Sequence, residues 1–214
     1  MKATELFSAE MNPAIAYIIG LCLPLYKEKI IKDNLYVIGA VNHNANMITE
    51  TEIAQHFMSV NNLISKYLGE DNDMLFYNQT PLYGTIQPKK GFSIIIEKDT
   101  DVKQLMLDRL EDIKENTVET RRAFVRGVFD GRSSFDTTAH YLSVDTDRDH
   151  QKQHLIAEII KSLNIGVNLN QRDLNHPKND QIRIQPYSLK KYLIDVGFYS
   201  VRRENIIKKY LETI

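Results

Sequence analysis

The chain has 214 residues, 43% of them hydrophobic, enough for one large or two small domains around a buried core. Its 27 basic and 28 acidic residues leave a net charge of -1, so no overall field draws it to a polyanion, and any nucleic-acid surface has to come from local patterning. No apolar run reaches the roughly 18 residues of a membrane span, and the first ten residues lack the order of a signal peptide, so a cytoplasmic protein with no membrane partner is expected.

Taken in chain order, the first helix is marked by Ala16-Tyr17-Ile18-Ile19-Gly20-Leu21. The lone Cys22 sits beside it among Ile19, Leu21 and Leu23, a core setting that offers neither an internal disulfide nor neighbouring zinc ligands. Two short β-rich runs follow, 29–32 and 35–41, split by the turn-forming pair Asp33-Asn34. Ile53, Phe57, Val60, Ile64 and Leu68 recur at helical spacing. A second strand pair, 74–78 and 92–97, is separated by a polar loop, and Val102, Leu105, Leu110 and Ile113 place one helix over 101–115.

The same order then recurs. Ala123-Phe124-Val125-Arg126-Gly127-Val128 matches the first helix, with Gly20 and Gly127 lying 107 residues apart, half the chain. Ala16, Gly20, Ala123 and Gly127 put small side chains on one helical face, which lets two helices approach closely. Strands at 134–137 and 141–146, a helix carrying Leu155, Ile159, Ile160 and Leu163, strands at 167–172 and 181–185 and a helix from Ser188 complete the second copy. The segment 202–211 reads as an added helix. The expectation is an α+β fold of two pseudo-symmetric αββαββα repeats, residues 1–116 and 117–214, whose two antiparallel sheets form a saddle.

The stretch from Arg122 to Phe135, Arg-Ala-Phe-Val-Arg-Gly-Val-Phe-Asp-Gly-Arg-Ser-Ser-Phe, resembles the second LAGLIDADG motif of single-chain homing endonucleases, commonly RAFLRGLFDADGSF. The stretch from Tyr17 to Tyr26 resembles the first, usually YLIGLLLGDGY, and the repeat order extends the resemblance over nearly the whole chain. The resemblance implies two motif helices packed at a pseudo-twofold axis within one monomer. It also implies an acid at each helix end to hold the divalent metals of phosphodiester cleavage. Here Leu25 and Arg132 occupy those acid positions, and neither can ligate a hard cation. Asp130 matches a non-metal acid two residues earlier, and Asp130 and Asp136 remain as shifted candidates for catalysis, with Mg as cofactor if the chain is an active nuclease. The six histidines lack ligand spacing, and no phosphate-binding glycine loop is present.

The strands carry the binding argument. Alternation sets Asn168, Asn170 and Arg172 opposite Val167 and Leu169, and Gln181, Arg183 and Gln185 opposite Ile182 and Ile184. Asn, Gln and Arg are the side chains that pair bidentately with adenine and guanine edges, and a β-ribbon enters the major groove. In the first half, Lys27, Lys29, Lys32, Asn34, Tyr36 and Asn42 are expected on the matching sheet and Lys89 and Lys90 on its long loop, with Arg132 placed to meet a phosphate. The function expected is sequence-selective binding of double-stranded DNA. The alternatives are a divalent-metal-dependent endonuclease, a protein-interaction module on the same fold, and an RNA binder.

Overall fold

The computed structural model describes residues 1–44, 48–70, 73–78, 89–173 and 175–213, with the side chains of Asn42, Asn44, Asn78 and Lys89 left aside. Most of the loop expected between the second strand pair of the first half lies outside the described residues. Helix α1 (Ala3–Ser8) has no counterpart in the sequence expectation, since six residues carry too little periodicity. It buries Ala3, Leu6 and Phe7. Helix α2 (Pro13–Cys22) starts where Asn12 accepts from the Ala14 and Ile15 amides at 3.0 and 3.1 Å, with Pro13 fixing the first helical φ. All ten of its residues are buried, so it is a central helix.

Strands β1 (Lys29–Lys32) and β2 (Leu35–Asn44) form a hairpin around Asp33, whose φ of 47° the Asp-Asn turn accommodates. Helix α3 (Glu50–Leu68) begins in a reciprocal box between Thr49 and Glu52. Strands β3 (Leu75–Asn78) and β4 (Lys89–Glu97) follow. The single helix expected over 101–115 is two, α4 (Val102–Asp108) and α5 (Leu110–Glu115). The break falls at Arg109, whose backbone sits at the edge of the helical region (φ -91°, ψ -4°) while its guanidinium donates to the Phe7 and Ala9 carbonyls at 2.9 and 3.0 Å.

The second half contains α6 (Val118–Arg132), capped by Thr117, then β5 (Ser134–Phe135), β6 (Leu142–Thr146), α7 (His150–Lys161), β7 (Val167–Asn170) and β8 (Asp180–Ile184). A short 3-10 turn (Pro186–Ser188), α8 (Leu189–Asp195) and α9 (Val201–Leu211) complete it. Two four-stranded antiparallel sheets result, with strand orders β1-β2-β4-β3 and β5-β6-β8-β7, the same order in each half. Helices α2 and α6 pack along each other beneath β2 and β6, while α4 and α5 pack on other helices, away from the sheets. The apolar core runs continuously from Ala3 to Ile207. Among the described residues no helix is long and apolar enough to cross a membrane.

Candidate nucleic-acid interface

The two seam helices meet through their small residues. Ala16 and Ala123 are buried, and Gly20 and Gly127 stand so close to the opposite backbone that a methyl group at either would overlap it. Just past the helix ends lies a cleft lined by Cys22, Pro24, Leu25, Lys27, Gly39, Val128, Arg132 and Asp145. Leu25 is half-buried, and Arg132 and Lys27 are exposed. Burial pushes the Cys22 thiol far up, so it stays a neutral core group. Asp145, the carboxylate lining this cleft, accepts from Gln181 Nε2 at 2.9 Å.

Asp130 and Asp136 do not meet in this cleft. Asp130 is fully buried, accepting from the Tyr17 hydroxyl at 3.2 Å and from the Tyr199 and Ser200 amides at 3.1 and 3.2 Å. Burial raises its carboxyl to about 6, against the lowering pull of the two amides, Arg203 and Arg126. His56 Nε2 lies 3.8 Å away, but burial and Arg203 hold that imidazole well below its usual range, so it is neutral and the approach is no ion pair. Asp136 accepts from the Thr138 and Ala139 amides, both at 2.8 Å, and these hold its carboxyl below the usual range. It shapes the β5–β6 turn, which is why β5 ends at Phe135 rather than continuing to 137.

The second sheet presents polar side chains in register. Ser134, Ser143, Arg183 and Asn168 form one cross-strand row, and Asp145, Gln181 and Asn170 the next. Leu142, Val144, Ile182, Ile184 and Val167 fill the opposite, buried face. Arg183 lies over the Tyr141 ring at 4.3 Å from its centre and donates Nε and Nη2 to Gln181 Oε1 at 3.1 and 2.9 Å. Gln181 in turn donates to Asp145, so Arg183, Gln181 and Asp145 are held in one linked array. Asn168 is exposed and Asn170, Gln181 and Arg183 are half-buried. Arg172 and Gln185 fall beyond the strands, which end at Asn170 and Ile184 rather than at 172 and 185. The Arg172 amide donates to Asp180 Oδ1 at 2.9 Å and the Gln185 amide to the Gly166 carbonyl at 3.0 Å.

The first sheet does not repeat this pattern. The rows facing away from the helices hold Lys29, Val37 and Ile95, then Ala40, Ser93 and Phe76. Tyr36 shares its row with the core residue Ile96, which puts it on the helix side, with the Lys98 ammonium 5.1 Å from its ring centre. Lys90 also faces the helices, in the row of buried His43, and pairs with Glu50 at the start of α3. Tyr36 therefore leaves the expected face, because the bulge between Val37 and Gly39 resets the alternation of β2, whereas Lys90 lies in β4 rather than in the loop expected there and shares the side of Phe92, Ile94 and Ile96. Lys27, Lys29, Lys32 and Asn34 are exposed around the β1–β2 hairpin. The side chains of Asn42 and Lys89 lie outside the described set.

Two cations at the helix ends, the buried Lys152 and the half-buried Arg203, were invisible in the sequence. Lys152 on α7 donates Nζ to the Leu23 and Pro24 carbonyls at 3.1 and 3.3 Å and lies 2.5 Å from Asp147 Oδ1. Arg203 on α9 donates Nη2 to the Gly131 carbonyl at 3.2 Å and Nε to the Ser133 carbonyl at 3.5 Å. Each groups one helix end with a distant element, and neither partner is marked by local spacing.

A crystal structure of the homing endonuclease I-DmoI in complex with DNA and Ca superimposes on 94% of this chain and 100% of its own, with a TM-score of 0.57 at 13% sequence identity. The chain has the LAGLIDADG homing-endonuclease fold. Mesophilic variants of I-DmoI match 88% of this chain and 97% of their own at 15% identity, with a TM-score of 0.54. The N-terminal LAGLIDADG domain of DUF199/WhiA matches 91% of this chain and 89% of its own at 12% identity, with a TM-score of 0.52. No protein-family model matches the sequence, and no curated protein matches it.

The residues at the helix ends of this LAGLIDADG fold do not suit a divalent ion. Leu25 and Arg132, which the motif resemblance sets at the acid positions, carry no side-chain oxygen ligand, and among the described residues no group of three His, Cys, Asp or Glu side chains converges. The cleft brings together an apolar side chain, an ammonium, a guanidinium and one hydrogen-bonded carboxylate. That set is suited to an anion.

Proposed function

We propose that this chain is a sequence-selective binder of double-stranded DNA on a LAGLIDADG scaffold without the usual cleavage centre. The observation that carries this reading is the polar array on the second sheet, Asn168 in register with Arg183 and Asn170 with Gln181, in which hydrogen bonds from Arg183 to Gln181 and from Gln181 to Asp145 fix the central side chains. Fixed amide and guanidinium groups on a β-ribbon can meet base edges in the major groove with little ordering cost. Lys27 and Arg132 at the central cleft, and Lys29 and Lys32 on the β1–β2 hairpin, supply phosphate contacts, which sequence-independent affinity requires. Asn34, Arg172 and Gln185 extend the same surface at its margins. The similar fold of I-DmoI, solved with DNA, supports the assignment of ligand class.

The two repeats, 1–116 and 117–214, together present both sheets from one monomer, so a single chain suffices to span a site. The alternative of a Mg-dependent endonuclease working through Asp130 and Asp136 has against it the burial of the first and the turn-forming bonds of the second. A protein-interaction module would use the same faces without dependence on phosphate charge.

Fluorescence anisotropy on a labelled, randomised duplex tests the proposal, read over a salt series. Binding that weakens linearly in log salt, and that survives a matched excess of structured RNA, is expected. Absence of binding at low salt, or competition by RNA as effective as by duplex, contradicts it.

A further inference from the structure

We propose that Lys152 and Arg203 stand in for divalent cations at the C-terminal ends of the two seam helices, so that the chain engages a duplex without any metal ion. The duplex half of this statement rests on the function proposed above; the metal half does not.

Helix C-termini expose unpaired carbonyls and the negative end of the macrodipole, and both attract a cation. At the end of α2, the Leu23 and Pro24 carbonyls receive the Lys152 ammonium, whose side chain is 0% exposed and whose charge is balanced by Asp147. At the end of α6, the Gly131 and Ser133 carbonyls receive the Arg203 guanidinium. Pro24 and Gly131 are 107 residues apart, the repeat spacing, and each immediately precedes the residue at an acid position, Leu25 or Arg132. The same carbonyl is thus taken by a cationic side chain in both repeats. The two cations come from unrelated places, the first turn of α7 and α9, so they are not a copied feature of the repeat.

A hard divalent ion at either end would need those carbonyl oxygens together with carboxylates. It would find the oxygens occupied, the acids absent, and a fixed positive charge within contact distance, which repels it strongly where water is excluded. Burying an ammonium is costly unless its donors are filled, and Lys152 has three acceptors, two of them at the helix end. The arrangement therefore neutralises the helix ends permanently, where an exchangeable ion would do so only when bound.

The test has a DNA-free arm. Mn2+ titrated into the full chain and followed by paramagnetic broadening of its amide signals is expected to leave residues 23–27 and 130–134 unbroadened; selective broadening there overturns the proposal. The Leu25→Asp/Arg132→Asp variant, with both cations in place, is expected to remain blind to Mn2+, and uptake at the helix ends would overturn the proposal as well. Adding Lys152→Met to that variant is expected to open the first helix end to Mn2+, and a folded triple variant that takes up none refutes the exclusion by Lys152. If the triple variant does not fold, the double variant decides. In the duplex arm, affinity in EDTA and in Mg2+ at matched ionic strength is expected to agree within about twofold, and a loss of about tenfold in EDTA contradicts metal independence. No duplex binding in either buffer refutes the proposed function, while the Mn2+ arm still judges the cations.

Discussion

Gly20 and Gly127 are reciprocal contacts of the seam: a β-carbon on Gly20 would lie 2.1 Å from the Phe124 carbonyl oxygen, and one on Gly127 would lie 2.2 Å from the Tyr17 carbonyl oxygen. Backbone cannot yield as a side chain can, so the helices would have to separate. Gly20→Ala and Gly127→Ala are each expected to destabilise the chain by about 2–3 kcal/mol, despite the helical preference of alanine of about 1 kcal/mol. Gly131→Ala, where the new carbon would be 3.3 Å from the Leu21 carbonyl oxygen, is expected to stay within about 1 kcal/mol of the parent. Urea melts of the three variants check the order.

Asp130 joins Tyr17 on α2 to the start of α9. Asp130→Ala leaves the Tyr17 hydroxyl and the Tyr199 and Ser200 amides without that acceptor in a dry interior, and a loss of about 3 kcal/mol is expected. Duplex affinity of the folded fraction should change by less than about twofold, since the carboxylate is sealed from any ligand. The same melts and anisotropy titrations measure both. A stable variant with abolished affinity would place Asp130 at the interface after all.

Acid should weaken the fold. Burial, Arg203 and Arg202 lower His43 from 6.5 to about 3, and burial, Arg203 and His43 hold His56 well below 6.5. A histidine depressed in the folded state binds fewer protons there than in the unfolded chain, so its contribution is lost as pH falls below about 6.5. Asp130 acts in the opposite sense: raised from 3.8 to about 6, it disfavours the fold as pH rises through that window. Two imidazoles outweigh one carboxyl, and the urea midpoint is expected to fall from pH 7 to pH 5. His43→Gln should flatten the slope; an unchanged slope would move the effect elsewhere.

On the proposed binding face, Arg183 and Lys32 should behave differently. Arg183→Ala is expected to cost about 1–3 kcal/mol on a preferred duplex and to relax the preference at one base position. Lys32→Ala is expected to weaken all duplexes alike and to reduce the salt slope by about one. Competition titrations against preferred and scrambled duplexes separate the two outcomes.

Much of the architecture is written in short-range pattern. The recurrence of a small-residue helix face at Gly20 and Gly127, and the period-two alternation through Val167-Asn168-Leu169-Asn170, are local, and they foretell the seam and the polar rows. The β2 bulge is not local: it turns Tyr36 toward the helices, and nothing in the run Tyr36-Val37-Ile38-Gly39 announces the extra residue. Lys152 and Arg203 were equally hidden, because their partners are carbonyls more than 70 positions away in the chain or nearly so, and a carbonyl has no sequence signature. Asp130 reads from sequence as a free acid near a motif end; only its packing shows it saturated by the start of α9.

Selection from a randomised duplex library in EDTA, carried out in parallel with the parent chain and with an Asn168→Ala/Gln181→Ala/Arg183→Ala variant, tests the central claim most directly. The parent is expected to enrich a defined duplex and leave it uncut when Mg2+ is added, and the variant to enrich none. Equal enrichment by both, or a parent that enriches nothing, would contradict reading of DNA by the second sheet, and cutting of the enriched duplex in Mg2+ would contradict the loss of the cleavage centre.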